Sequence, residues 1–235
     1  MDRDLQRPPV TVGSHAVGFP GSLKRFPDTV LITVAGAAVA LAVAYIAARM
    51  RLPTSRGLLM EGQWYFRSWA QFPWLEGLGM LAGLVLLPVG WERRLGVTWR
   101  NFGFQAPRRW ALCLLAAMIG AVFFAMISQA RISMWRLNFD RPAFIFFSTY
   151  FLCVAVAEEA LFRGFLQRRL RLVSNSWLAV TCASLAFACW HGLPDSASIL
   201  FLRIFGGAMM GVLYDRSGSL WPSISLHWLI NMGQV

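Results

Sequence analysis

The sequence predicts an all-α fold, a polytopic transmembrane bundle of about seven helices, and three observations lead to it. Hydrophobic residues make up 57% of the 235 while only 14% are charged, and mean hydropathy is +0.53. A chain so apolar has too little polar surface to face water. Residues 29–48, 110–130 and 217–235 are uncharged over about the 20 positions that a bilayer crossing needs. Most arginines lie between such runs rather than within them.

In chain order, residues 1–26 hold Pro8, Pro9, Gly13, Gly18, Pro20 and Gly21 without an apolar stretch, and are expected to form a flexible cytoplasmic tail with His15 solvated. Residues 27–235 are expected to make one membrane-embedded domain. Its first span is 29–48. Segment 51–71, polar but with Trp64, Tyr65, Phe66 and Trp69, is expected to lie along the interface. The later spans are 72–90, 110–130, 143–163, 176–192, 198–214 and 217–235. Trp74, Trp91, Trp110, Trp177 and Trp221 fall at span ends, where an indole keeps its ring in the acyl boundary and its N–H in water. Cys113, Cys153, Cys182 and Cys189 lie inside apolar runs, so no disulfide framework is implied. Gly207 and Gly211 have the small-xxx-small spacing that lets helix backbones approach, here within the bundle.

The net charge of +11 would suggest nucleic acid in a soluble protein. In loops that flank spans, the same arginines follow the positive-inside tendency and the attraction of basic loops for anionic lipid. With seven spans, the N-terminal side collects Arg93, Arg94, Arg108, Arg109, Arg163, Arg168, Arg169, Arg171 and others, so the N-terminus is read as cytoplasmic. No nucleic-acid partner is expected. The arginine-rich, nearly lysine-free usage points to a bacterial inner membrane.

Ionisable groups at membrane depth are costly and mark function by default. Glu158, Glu159 and Arg163 close one apolar run, His191 ends another, and His227 and Asn231 share one face of the last. Glu159 and Arg163, four apart, are placed to pair, which leaves Glu158 available for chemistry. Phe187 lies one turn before His191. Three helices can therefore direct Glu158, His191, His227 and Asn231 at one cavity. Glu76 is read as an interface residue, and Arg203 as snorkelling or neutralising an interior carboxylate. One difficulty follows from the span limits. They leave Glu158 and His191 roughly 15 Å apart in depth.

EEALFRGFL, FACWH and SLWPSISLHWLIN resemble the EExxxR, FxxxH and HxxxN motifs of the CPBP family of intramembrane proteases, named for CAAX proteases and bacteriocin-processing enzymes and also called the Abi family. The resemblance covers about residues 144–235, with a protease core near 143–235. It implies a glutamate-dependent endopeptidase in a helical bundle, acting on membrane-anchored peptides or proteins. Carried onto this chain, Glu158 is the general base, His191 helps to orient water, His227 and Asn231 stabilise the oxyanion, and Glu159 and Arg163 support the site. The implied enzyme needs no cofactor. A zinc protease is the alternative, since two histidines and a carboxylate can hold catalytic zinc, although asparagine is a poor zinc ligand. A non-catalytic immunity or scaffold protein on the same fold is the other.

Overall fold

The computed structural model describes residues 26–50, 73–120, 122, 141–192 and 197–232, which contain helices and no strand. The tail at 1–25, the segment 51–72 and the C-terminal half of the span read at 110–130 lie outside the described residues.

Helix α1 is Phe26–Arg49 and α2 is Trp74–Arg94, with a π-helical insert at Leu81–Leu86. A short helix α3, Trp99–Phe102, starts on a Thr98 cap that accepts from the Asn101 N–H. Helix α4 is Trp110–Gly120. Helix α5 starts as Arg141–Glu159, widens into a π-helix at Ala160–Gln167 and closes with Arg168–Arg171. Then come α6, Ser176–Trp190, α7, Ala197–Ser217, and α8, Trp221–Met232. Among the described residues α1, α2 and α7 are long and apolar enough to cross a membrane. Their outward side chains, such as Leu31, Leu78 and Phe201, are exposed, as a lipid-facing surface requires. The protein is an integral membrane protein.

Three sequence expectations change. Among the described residues the run at 217–235 does not form a long span: Ser217 ends α7, residues 218–220 bend, and α8 has 12 residues, about 18 Å against a core of about 30 Å. Gly218, at φ +66°, makes that turn possible. The second span extends to Arg94 instead of stopping at Gly90. The fourth does not end at Arg163, because the helix runs on to Arg171, and this removes the depth difficulty. Measured from their shared turn, Glu158 lies 13 residues before Arg171 and His191 lies 15 after Ser176, or about 20 and 22 Å.

Close helix contacts set the positions. Gly36 and Gly83 bring α1 and α2 so near that a Cβ on either would collide with the other's carbonyl oxygen. Gly207 rests against Ser184 and Phe187 of α6, so the small-residue pair does pack within the chain. At the other end of α7, residues 102–108 clamp the turn into α8. Gln105 donates to the Gly218 carbonyl (2.7 Å), Ser219 Oγ to the Gln105 carbonyl (2.6 Å) and the Leu220 N–H to the Gly103 carbonyl (2.9 Å). Ser223 then ties α8 to the Met210 carbonyl at 2.7 Å, and the Trp228 indole ties it to the Ser148 carbonyl at 3.0 Å. These bonds explain the serines of SLWPSI: they fix where α8 starts and hence where His227 arrives.

The same end collects Arg93, Arg94, Arg100, Arg108, Arg109, Arg168, Arg169, Arg171 and Arg216. Buried Glu92 pairs there with Arg168 and Arg169, and Asp215 with Arg171. Arg163 does not belong to this group, because it is fully buried in the bundle.

Candidate active site

Glu158 and Glu159 end the α-helical part of α5, where the π-helix begins. The wider turn brings residues four apart nearer to one line, and such turns often occur at functional sites. Arg163 uses it. Its Nη1 donates to Glu159 Oε1 at 2.9 Å, its Nη2 to the Gly207 carbonyl at 2.9 Å, and its guanidinium lies 4.6 Å from the Phe187 ring centroid. One turn on, Gln167 repeats the pattern onto the Gly211 carbonyl at 2.9 Å. The glycines that let α7 approach thus also present the carbonyls that hold α5.

Phe187 joins the site's charged and ring groups. Its ring stands edge-on to His191 at 4.7 Å, to His227 at 5.5 Å and to Phe162 at 5.5 Å. Both imidazoles are further fixed by hydrogen bonds. His191, at the C-cap of α6, approaches the Phe187 carbonyl through Nδ1 at 2.9 Å. A carbonyl can only accept, so Nδ1 carries the proton and the neutral ring presents a bare Nε2. His227 Nδ1 lies 2.9 Å from Glu159 Oε1, the oxygen that also accepts from Arg163. Its Nε2 is left bare in the same way.

Those two Nε2 atoms point at one oxygen. Glu158 Oε2 lies 3.7 Å from His191 Nε2 and 3.6 Å from His227 Nε2, and it is buried without a hydrogen-bond partner among the described residues. Glu158 Oε1 accepts from the Trp190 indole at 3.0 Å. The carboxylate therefore has one anchored oxygen and one oxygen open to an occupant. Beside it is a cavity of about 250 Å³ lined by Ala40, Leu41, Glu76, Met80, Tyr150, Val154, Trp190 and His191, among others.

Glu158, Glu159, Arg163, Phe187, His191 and His227 are thus together. Asn231, half-buried, follows His227 by one turn on α8. Sequence reasoning missed Trp190, although it stands next to His191 in FACWH, because an indole near a span end reads as an interface anchor. Glu76, read as an interface residue, lines the cavity and accepts from the Tyr150 hydroxyl at 3.4 Å. Arg203 pairs with no carboxylate among the described residues: its Nη1 donates to the Gly192 carbonyl (2.9 Å) and the His191 carbonyl (3.4 Å), at the end of α6.

Residues 140–233 match the model of a family described as type II CAAX prenyl endopeptidase Rce1-like. Over 81 residues the chain is 35% identical to the uncharacterized protein YpbD of Bacillus subtilis, a match that takes in 34% of this chain and 39% of that protein. No solved structure matches the chain. The match at 140–233 spans every residue of the cluster around Glu158 and all three motifs, so the site region of this chain is similar to the Rce1-like CAAX prenyl endopeptidases.

Proposed function

We propose that this protein is an intramembrane endopeptidase that hydrolyses peptide bonds of membrane-associated or lipid-anchored proteins, with Glu158 as general base. The observation that carries this reading is the open Glu158 Oε2, buried, facing two bare imidazole nitrogens and adjoining a cavity. A water seated there gives its proton to Oε2 as its oxygen attacks the carbonyl carbon, and His191 Nε2 orients it. The proton then passes from Glu158 to the departing amine as the C–N bond breaks. Trp190 keeps the carboxylate in one rotamer by holding its other oxygen.

Asn231 and His227 serve the oxyanion. The amide can donate as it stands, whereas His227 donates from Nε2 only as an imidazolium. Glu159 beside Nδ1 fixes the ring, and Arg163 fixes Glu159. One such donor contributes on the order of 3 kcal/mol to lowering the barrier. A chain orientation follows from the arginines at the Arg168–Arg171 end. α1 and α2 run antiparallel, so α1 starts at that basic end, which supports a cytoplasmic N-terminal side in a bacterial inner membrane.

A second reading rests on the same bare nitrogens. Two imidazole Nε2 atoms and a carboxylate oxygen, with both Nδ1 atoms tied to oxygen acceptors, are donors of the kind zinc takes, although no three such groups among the described residues are placed to hold an ion together. Bound there, zinc would lower the pKa of its water towards about 7. We favour the metal-free site because Glu158, His191, His227 and Asn231 already supply a base, a water-orienting group and oxyanion donors.

The test starts from terminal mass analysis of membrane proteins that change length when the gene is inactivated. A peptide spanning one mapped cut is then given to purified protein in detergent. Glu158→Gln should leave the fold intact and abolish cleavage; turnover like wild type by that variant refutes the base.

A further inference from the structure

The turn that joins α7 to α8 gathers more positive charge than its surroundings offset. Arg216 lies two residues before Gly218 and is exposed. Arg108 crosses the turn: its backbone N–H donates to the Ser217 carbonyl at 3.1 Å, and its Nε lies 3.6 Å from where a Cβ on Gly218 would be. Arg100 reaches the same turn through Gln105, donating from Nε to Gln105 Oε1 at 3.3 Å while the Gln105 amide holds the Gly218 carbonyl. None of the three pairs with a carboxylate among the described residues; Asp215 is taken by Arg171, and Glu92 by Arg168 and Arg169. The carbonyl end of α7 supplies about half an elementary charge, too little for three guanidinium groups. Cations held together in this way set up a field that collects anions.

Beside the arginines runs an aromatic strip. Phe104 stands edge-on to Trp99 at 5.7 Å and to Trp221, the first residue of α8, at 6.3 Å, and both indoles are exposed. Indoles exposed at the end of a span sit between acyl chains and headgroups, at the depth of the lipid phosphates. The surface is therefore part cationic and part apolar, as a phosphate carried on acyl chains requires. A soluble anion would use the cationic part alone, and a zwitterionic headgroup would bring its own cation against the arginines. We propose that Arg100, Arg108 and Arg216, with Trp99 and Trp221, form a binding site for an anionic phospholipid, and that the bound lipid braces the turn between α7 and α8. That turn sets where α8 starts and hence where His227 arrives, so the lipid acts on the site without touching it. Its effect on turnover rests on the protease reading, whereas its binding does not.

The experiment measures binding and turnover separately. Fluorescent phosphatidylglycerol is bound to purified protein in detergent and competed with unlabelled phosphatidylglycerol, phosphatidylcholine or glycerol phosphate. Phosphatidylglycerol should compete best, and glycerol phosphate should not displace it. Each of Arg100→Gln, Arg108→Gln and Arg216→Gln should weaken binding about fivefold, and the triple variant roughly a hundredfold. Arg93→Gln, Arg94→Gln and Arg109→Gln together remove the same charge from the same end of the protein and should cost less than about tenfold, since screening weakens charges away from the headgroup. Equal losses in the two triple variants, no preference over phosphatidylcholine, or displacement by glycerol phosphate overturns the site; the exposed Arg108→Gln alone decides it if the first triple variant does not fold. Turnover of a mapped peptide is then compared in nanodiscs of phosphatidylcholine alone and with phosphatidylglycerol added. The anionic lipid should raise kcat about fivefold or more, the lower end of couplings between sites, and the gain should vanish with Arg108→Gln and Arg216→Gln combined. Cleavage that ignores a lipid which binds overturns the bracing. Absence of cleavage in either lipid, with arginine-dependent binding intact, refutes the protease reading and leaves the lipid site standing.

Discussion

Glu159→Gln tests the centre of the site, because one oxygen of Glu159 serves both Arg163 and His227. The substitution keeps the shape and removes the charge. Arg163 is then a fully buried cation that has lost its partner at 2.9 Å and retains only the Gly207 carbonyl and the Phe187 face. Breaking a buried pair from one side costs about 3 to 5 kcal/mol. At 1.4 kcal/mol per tenfold, that is roughly a hundred- to several-thousandfold in the folding equilibrium. Reversible SDS titration of purified protein, followed by tryptophan fluorescence, reads this cost. Adding Arg163→Met should recover most of the loss, since no orphaned charge remains. Activity should stay low in the double variant, because His227 Nδ1 still lacks its carboxylate. A single variant as stable as wild type, or a double variant no more stable than the single, would refute the pairing.

Trp190→Phe removes the indole donor from Glu158 Oε1 and should lower kcat about ten- to a hundredfold with little change in thermal stability, the scale of one hydrogen bond to a charged group; unchanged turnover on a mapped peptide would remove Trp190 from the site. Gly207→Ala places a Cβ 3.2 Å from Ser184 Cβ and 3.3 Å from Phe187 Cδ1, so stability should fall by about 1 to 3 kcal/mol, whereas Gly77→Ala, with open space around it, should be neutral in the same titration. Protein dialysed against chelator should keep most of its activity with no stoichiometric zinc by elemental analysis; activity that leaves and returns with the metal would establish the zinc reading instead.

Much of the site could be read from sequence because charge inside apolar runs is rare and helical spacing is rigid. The pairing of Glu159 with Arg163 and the placing of Phe187 beside His191 both follow from a four-residue separation, and both are present. Span limits were less legible. Arginines at 168–171 look like the end of a membrane segment, yet backbone hydrogen bonding carries the helix through them. The uncharged run at 217–235 looks like a full span, yet its first residues form a turn held by serine side chains and a left-handed glycine. Hydropathy reports what lipid tolerates and is silent about where a helix starts.

The π-helix at 160–167 was hidden for a different reason. ALFRGFLQ has no composition that distinguishes it from an α-helix, and the wider turn becomes favourable only when tertiary partners repay the looser backbone. Here they are identifiable: Arg163 and Gln167 reach two glycine carbonyls of α7, and Gly164 leaves room for the Phe102 ring, which a Cβ would strike. Residues 160–167 depend on α7 and α3 for their shape, and His227 depends on the 102–108 clamp for its register. The catalytic motifs are local in sequence. The geometry that turns one oxygen of Glu158 towards two bare nitrogens is a property of the whole bundle, including the Trp190 donor at a position the motif pattern leaves open.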